Sequence, residues 1–406
     1  MPSGPDRRLP MPIPSPTARA VAALCLTQVI GWGTTFWLPA VTGPAMAGEL
    51  GMTLPLAMAG PTVMLVVMAM ASWPLSGLFE RHGARPVMIA GSSLGAAGLL
   101  VMGLADGPAL YLASWVIVGL AGAGMLTTPA QVAVTEIAGD RARGALGVLV
   151  LAGGLTSTIF WPLSGLLQAQ WGWRATTLAY GVLMLLVCVP LHAWVLARRP
   201  GRRSRAENAA PTPIDRARFT LLALSLAANG FFTWGFALTF IILFEAAGLD
   251  HAEALTAASF IGIAQWAGRM VDVLGGRRWS GFVLGLAAYA LFPLSFVVLL
   301  MTSSFSGALL FATLYGVASG VGAVTRATLP LQLFPAGTYA RAATRLAVPL
   351  NLSFAAAPPV FVTLVTRAGP HAALWLALAI SLVAFGLFFS LRLVHRRGAC
   401  GLPVTG

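Results

Sequence analysis

The chain has 406 residues, 58% of them hydrophobic and only 9% charged, with a mean hydropathy of +0.83. Soluble domains carry about 25% charged residues, so this surface cannot face water throughout, and a bilayer must be its main solvent. The formal charge of +13 comes from arginine alone, because the chain has no lysine; whether it signals a nucleic-acid partner depends on where the arginines fall.

Residues 1–18 are proline-rich and polar, without the short apolar core and small-residue cleavage site of a signal peptide. They are expected to form a disordered cytoplasmic segment. Apolar runs then follow near 20–41, 55–76, 87–105, 109–133, 145–168, 175–197, 219–244, 254–274, 280–302, 306–330, 346–366 and 371–393. Each suits a helix crossing a hydrocarbon core of ~30 Å. The expected fold class is therefore all-α and membrane-embedded, with twelve transmembrane helices.

On the first run Gln28, Trp32 and Thr35 fall at i, i+4 and i+7, one face of a helix. After the second run comes Gly77-Leu78-Phe79-Glu80-Arg81-His82-Gly83-Ala84-Arg85. Its glycines allow a tight turn, its arginines suit the membrane interface, and Glu80 is an acceptor for Arg81, Arg85 or a helix N-terminus across a domain interface. Topological anchoring explains the arginines but leaves the acid unexplained. Thr156, Ser157 and Trp161 mark the fifth run.

Residues 198–218 open with five arginines and continue with Pro211 and Pro213, the composition of a flexible linker. They divide the chain into 19–197 and 219–393, six runs each, with 394–406 as a tail. The second half echoes the first. Gly275-Gly276-Arg277-Arg278 repeats the glycine-arginine loop, and aligning Gly83 with Gly276 also aligns Trp73 with Trp266. Trp32-Gly33 recurs as Trp234-Gly235, and Pro129-x-Gln131 as Pro330-x-Gln332. Repeated halves are how many secondary transporters are built, with the site between them.

With the N-terminus inside, cytoplasmic segments hold all the arginines except Arg174 and Arg367 on the opposite face and Arg269 and Arg326 within runs. That asymmetry follows the positive-inside rule, placing both termini in the cytoplasm. The basic balance then records insertion and contact with anionic lipid, and a nucleic-acid partner is not indicated.

Ionisable groups inside a bilayer are costly and are functional candidates by default. Arg269 and Arg326 are the two arginines there; either contacts an anionic substrate through charge-assisted bonds or serves structure, Arg269 by pairing with Asp272 three residues on. Asn229 and Thr233 on the seventh run, Gln265 one turn before Arg269, and Asn351 on the eleventh complete the cavity candidates. Each is also a helix-packing residue by type. Cys25, Cys188 and Cys400 lie far apart, with neither pairing nor metal spacing. No nucleotide loop, metal set or nucleophile–base set occurs, so neither an enzyme nor a cofactor is expected.

The six-plus-six layout, the central linker and the two glycine-arginine loops resemble the major facilitator superfamily, with matches at Gly77, Arg81, Gly83 and Arg85 and Glu80 in the aspartate position of its loop between helices 2 and 3. Gly-Trp-Gly at 31–33, the stretch 152–164, Gly-Trp-Arg at 172–174, the stretch 261–269 and Thr-Arg-Ala-Thr-Leu-Pro-Leu at 325–331 resemble a bacterial branch grouped near monocarboxylate and oxalate/formate carriers. The resemblance implies two pseudo-symmetric six-helix domains in a bacterial inner membrane. It also implies a monomeric carrier of a small molecule, driven or not by protons, gated by the loop residues with Asp272, Arg277 and Arg278. Arg269 resembles the carboxylate-binding arginine of helix 8 in monocarboxylate carriers, although it lies only seven residues before Gly276. Asn351 stands where the oxalate carrier has a second basic residue, which disfavours a dicarboxylate. Two marks of drug/proton antiporters are altered: Trp115 replaces an arginine four residues before Gly119, and Trp161-Pro162-Leu163-Ser164-Gly165-Leu166 keeps only the proline and one glycine. Export of drug-like or toxic compounds, metalloids included, stays as the alternative cargo. A receptor or assembly factor would not need paired halves.

Overall fold

The computed structural model describes residues 15–196, 214–236, 239–275, 280–302 and 304–399, and all regular structure among them is helical. Arg277 and Arg278 lie outside the described residues, as do the arginines of 198–213 and the side chain of Asp272.

Eight helical stretches are each long and apolar enough to cross a membrane. One of them, Pro108–Val195, has 88 residues, about 130 Å of helix if straight, several times the thickness of a bilayer core. Gly139 (φ 51°) and Gly172 (φ 75°) divide it, because a residue without Cβ enters the left-handed region at little cost. It therefore holds the fourth span (Pro108–Met125 continued by Thr127–Ala138), the fifth (Ala142–Gly153, then Thr156 to Gly172) and the sixth, ending at Val195. The first span is Ser15–Thr34 continued by Pro39–Glu49, the second Leu54–Met58 with Gly60–His82, and the third Ala84–Gly103. The seventh is broken, Arg216–Gly235 and Phe240–Ala246. The eighth, His251–Gly275, carries Arg269 as well as Glu253 and Asp272 and is not one of those eight stretches. Gly281–Met301, Phe305–Leu333, Ala336–Ala368 and Pro370–Ala399 complete twelve crossings among the described residues.

Spans one to six and seven to twelve form two pseudo-symmetric halves, each with its own apolar core. The second and eleventh spans pack along the seam, and Ala142–Gly153 packs on the eighth and tenth. Phe354 and Ala355 of the eleventh span are buried in the core of the first half. An even number of crossings puts Ser15 and Ala399 at the same end of the bundle.

The repeat is more regular in space than in sequence. Ser15 and Arg216, which open the first and seventh spans, are 201 residues apart. The starts of the third and ninth spans, Ala84 and Gly281, and of the fourth and tenth, Pro108 and Phe305, are 197 apart. Aligning Gly83 with Gly276 is thus one helical turn out of register, and Gly83 corresponds to Ser280, each the residue before its helix. The eleventh span departs most from the expected 346–366, since it begins ten residues earlier at Ala336. Arg341 and Arg345 look like loop charges in the sequence, but both are seated on the other half.

Close helix approach also repeats. A Cβ at Gly119 would lie 2.9 Å from the Met64 carbonyl oxygen, and one at Gly316 would lie 2.7 Å from that of Ile261. One turn on, a Cβ at Gly320 would meet the Gln265 carbonyl oxygen and lie 2.9 Å from the Arg269 nitrogen. Gly320→Val is therefore expected to force the eighth and tenth spans apart at a cost of about 1–3 kcal/mol. Its apparent melting temperature should fall by several degrees, whereas Gly386→Ala, with open space at its Cβ, should match wild type. A normal melting temperature for Gly320→Val would refute the tight contact.

Candidate functional site

At the end carrying the termini, the halves are joined by charge. Arg341 donates from Nε to Glu80 Oε1 at 2.7 Å and from Nη2 to Oε2 at 2.9 Å, a two-point ion pair between the second and eleventh spans. One turn further along the eleventh helix, the Arg345 guanidinium lies 4.9 Å from the centroid of Trp73. Glu80 thus bonds across the interface, but to an arginine rather than to a helix N-terminus. The acid that caps a helix in this loop is Glu136, which accepts from the Ala84 N–H at 3.1 Å and opens the third span. Arg85 is tied within its own half to the Ala193 carbonyl, while Arg81 and His82 are exposed. Gly77 has open space at its Cβ, and Gly83 takes φ 75° in the turn. Arg341 stands four residues before Arg345, and that i, i+4 spacing was the one signal in the sequence of a shared basic face.

Arg269 makes the corresponding contact between the eighth and fifth spans. Its Nη1 donates to the Val150 carbonyl at 3.4 Å and its Nη2 to Gln265 Oε1 at 3.2 Å. The guanidinium fits against Gly154, where a Cβ would collide with it, and this glycine lies at the break of the fifth span. Gln265 in turn donates to Ser319 Oγ at 2.7 Å. Arg269 therefore bridges the halves and is held by neutral acceptors; no carboxylate pairs with it among the described side chains.

Several candidates in the first half are satisfied locally. Gln28 donates to the Met125 carbonyl at 2.9 Å, Thr35 to the Gly31 carbonyl at 2.6 Å, and Trp32 Nε1 to Thr127 Oγ1 at 3.2 Å. Thr233 likewise bonds the Asn229 carbonyl at 2.9 Å. The bonds of Gln28 and Trp32 join the first span to the fourth, as polar groups in a bilayer commonly do, while those of the two threonines stay within their own helices. The ring faces remain. Trp32 lies 6.4 Å from Trp234, the two closing the ends of the repeat-related first and seventh helices. Phe36 meets Trp234 edge-on at 5.0 Å and Trp37 at 5.1 Å, and Trp37 meets Trp161 at 5.4 Å. Trp234 also stacks on Phe354 at 4.5 Å with an 8° interplanar angle.

Arg326 stands at the other end of this chain of rings. It is seven residues from the end of the tenth helix, yet its guanidinium carbon lies 5.4 Å from the Phe354 centroid, eighteen residues into the eleventh. The side chain thus carries its charge into the bundle instead of out to the nearer rim. It is close enough to Arg269 and Tyr289 to interact electrostatically, and no ion pair satisfies it among the described residues. Asn229 faces the same helix, since a Cβ at Gly322, one turn before Arg326, would lie 3.9 Å from Asn229 Oδ1. Asn229 Nδ2 is buried without a partner, and Tyr289 Oη lies beside Ser225. Asn351, three residues before Phe354, is buried too. Phe354, Tyr289 and Arg341 were not legible as site residues, because an aromatic or basic residue is common on such helices and only the packing singles these out. A separate cavity of about 250 Å³, lined by Leu243, Leu299, Met301 and His371 among others, lies among the seventh, ninth and twelfth spans, away from the seam.

The family model described as Major Facilitator Superfamily matches residues 23–271. Over 148 residues the chain is 32% identical to an uncharacterized 38 kDa protein in a 23S RNA operon of Thermoproteus tenax, covering 36% of this chain and 39% of that protein. Over 117 residues it is 28% identical to the multidrug resistance protein MdtH of Shigella flexneri, 29% of each chain. The matches thus span well under half the length of these curated relatives. In three dimensions the human organic anion transporter MFSD10 (TETRAN) superposes with a TM-score of 0.72 at 17% identity, over 92% of this chain and 99% of that one. At that identity the likeness is one of fold.

Proposed function

This chain belongs to the Major Facilitator Superfamily, and from that premise we propose that it carries a small organic anion across the bacterial cytoplasmic membrane by alternating access of its two halves. The observation that carries this reading is Arg326: a guanidinium inside the bundle, aimed away from the rim and without a carboxylate partner among the described side chains. Arg326 is half-buried, so part of its hydration is lost without an ion-pair partner to replace it, and a cargo that brings a carboxylate offsets that loss through charge-assisted, two-point bonding. Arg269 occupies the position that resembles the helix-8 arginine of monocarboxylate carriers, but its bonds to Val150 and Gln265 favour a role in closing the halves. Glu80 with Arg341 is the gate in the same scheme, and the arginine asymmetry supports placing both termini and the linker 198–218 in the cytoplasm. The carrier would work as a monomer of two domains, 19–197 and 219–393, with protons as its coupling ion.

Proton-driven export of drug-like compounds is the second reading. The partial match to MdtH and the aromatic chain from Trp161 to Phe354 favour it. Purified protein in proteoliposomes with an imposed proton gradient separates the two. Uptake or efflux of a carboxylate that collapses with an uncoupler supports the anion reading. Movement of cationic or neutral drug-like compounds, with no carboxylate moved, would replace it by the second.

A further inference from the structure

We infer that the cargo is an aryl monocarboxylate, its single carboxylate seated on Arg326 and its flat ring lying against Trp234 and Trp32. This rests on the anion reading above and specifies it. One carboxylate is indicated because, of the two arginines within the bundle, Arg326 alone among the described residues has both terminal nitrogens free for a two-point bond, Arg269 keeping only its buried Nε without a partner. Both terminal nitrogens of Arg269 are already bonded, to Val150 on the opposite half and to Gln265, whereas the contact found for Arg326 among the described residues is with the Phe354 ring face.

Beside Arg326 there is also an unused donor. Asn229 Nδ2 is buried without a partner. Asn229 faces Gly322, which shares a helix face with Arg326 at i, i+4. An orphaned buried donor calls for an explanation, and a carboxylate with two oxygens and about four lone-pair sites can accept from it while bonding Arg326.

The apolar part of the cargo is read from what adjoins the charge. Phe354 lies beneath the guanidinium, and Trp234 is nearly parallel to Phe354 at 4.5 Å, so the wall leading away from Arg326 consists of ring faces rather than aliphatic side chains. Trp32 and Phe36, from the first half, meet Trp234 at 6.4 and 5.0 Å. These rings already touch one another, so a ring packed against the outside of the cluster would reach groups of both halves, which a two- or three-carbon acid anchored at Arg326 would not do. Offset and edge-on contacts between rings favour such a partner beyond area alone.

The test uses the full-length protein in nanodiscs, with labelled benzoate as the probe and propionate, oxalate and benzamide as competitors. Benzoate is expected to bind at least ~10-fold tighter than propionate or oxalate, and benzamide, which has the ring without the charge, should not compete. Trp234→Leu should bring the benzoate and propionate affinities to within ~3-fold of each other, chiefly by weakening benzoate. Trp234→Phe, which keeps a ring, should retain the preference, and decides the matter if the leucine variant does not fold. Equal binding of benzoate and propionate by wild type, both lost in Arg326→Gln, would overturn the aryl assignment while leaving the anion reading in place. Oxalate as the tightest ligand would overturn the single-carboxylate assignment. No binding of any carboxylate would overturn the anion reading itself.

Discussion

Arg326→Gln is expected to abolish carboxylate transport without harming the fold. Removing one partner of a buried, hydrogen-bonded charge pair costs about 2–5 kcal/mol, so anion affinity should fall at least ~30-fold. The thermal behaviour should run the other way. In the empty protein this guanidinium has no carboxylate partner among the described side chains, so glutamine relieves an uncompensated charge. Its melting temperature should equal or exceed that of wild type, and added carboxylate should no longer raise it. A purely structural arginine would give the opposite pattern, a lower melting temperature with carboxylate affinity preserved. Arg269→Gln provides the contrast. It loses the contact with Val150 that joins the fifth and eighth spans, so turnover should drop while carboxylate affinity changes little.

Glu80→Gln should slow turnover at least ~5-fold while shifting the half-saturating substrate concentration by less than ~3-fold. The ion pair with Arg341 spans the two halves in the conformation described here, closed at the end carrying the termini. Its side chains are 31% and 26% exposed, so solvent screening limits its worth to about 1–2 kcal/mol. That is enough to change the ratio of two conformations by roughly 5- to 30-fold. Neither residue adjoins Arg326 or the ring wall, so binding should be nearly unaffected. Exchanging the charges, Glu80→Arg with Arg341→Glu, should restore much of the rate. An unchanged rate with strongly weakened binding in Glu80→Gln would remove the gate and make Glu80 part of the substrate site.

The remaining features of the loops fit this division of labour. Gly172-Trp173-Arg174 turns the chain between the fifth and sixth spans: Gly172 takes φ 75°, Trp173 is buried, and Arg174 bonds Glu49 and the carbonyls of Gly103 and Ala105. The equivalent turn between the eleventh and twelfth spans uses Gly369 at φ 86°, 197 residues on. These are fixed points of each half, whereas the contacts made by Glu80, Arg269 and Arg345 lie between halves.

Much of the fold could be read from the chain because a bilayer permits few solutions. Long apolar runs must satisfy their backbone internally as helices, and the turns show themselves through glycine and arginine. The twelve crossings and the two halves follow from that chemistry alone. Register and partners do not. An alignment of Gly83 with Gly276 looks equal to one with Ser280 until helix starts are compared, because helical periodicity makes a slip of one turn nearly invisible in an apolar sequence. The partner of Glu80 is 261 residues away, and no local pattern encodes a contact across a seam. Arg269 and Arg326 look alike in sequence, each a lone cation in an apolar helix. Only packing separates them: one side chain is spent on carbonyl and amide acceptors at the meeting of the halves, and the other is left on the face of Phe354 with its charge unanswered.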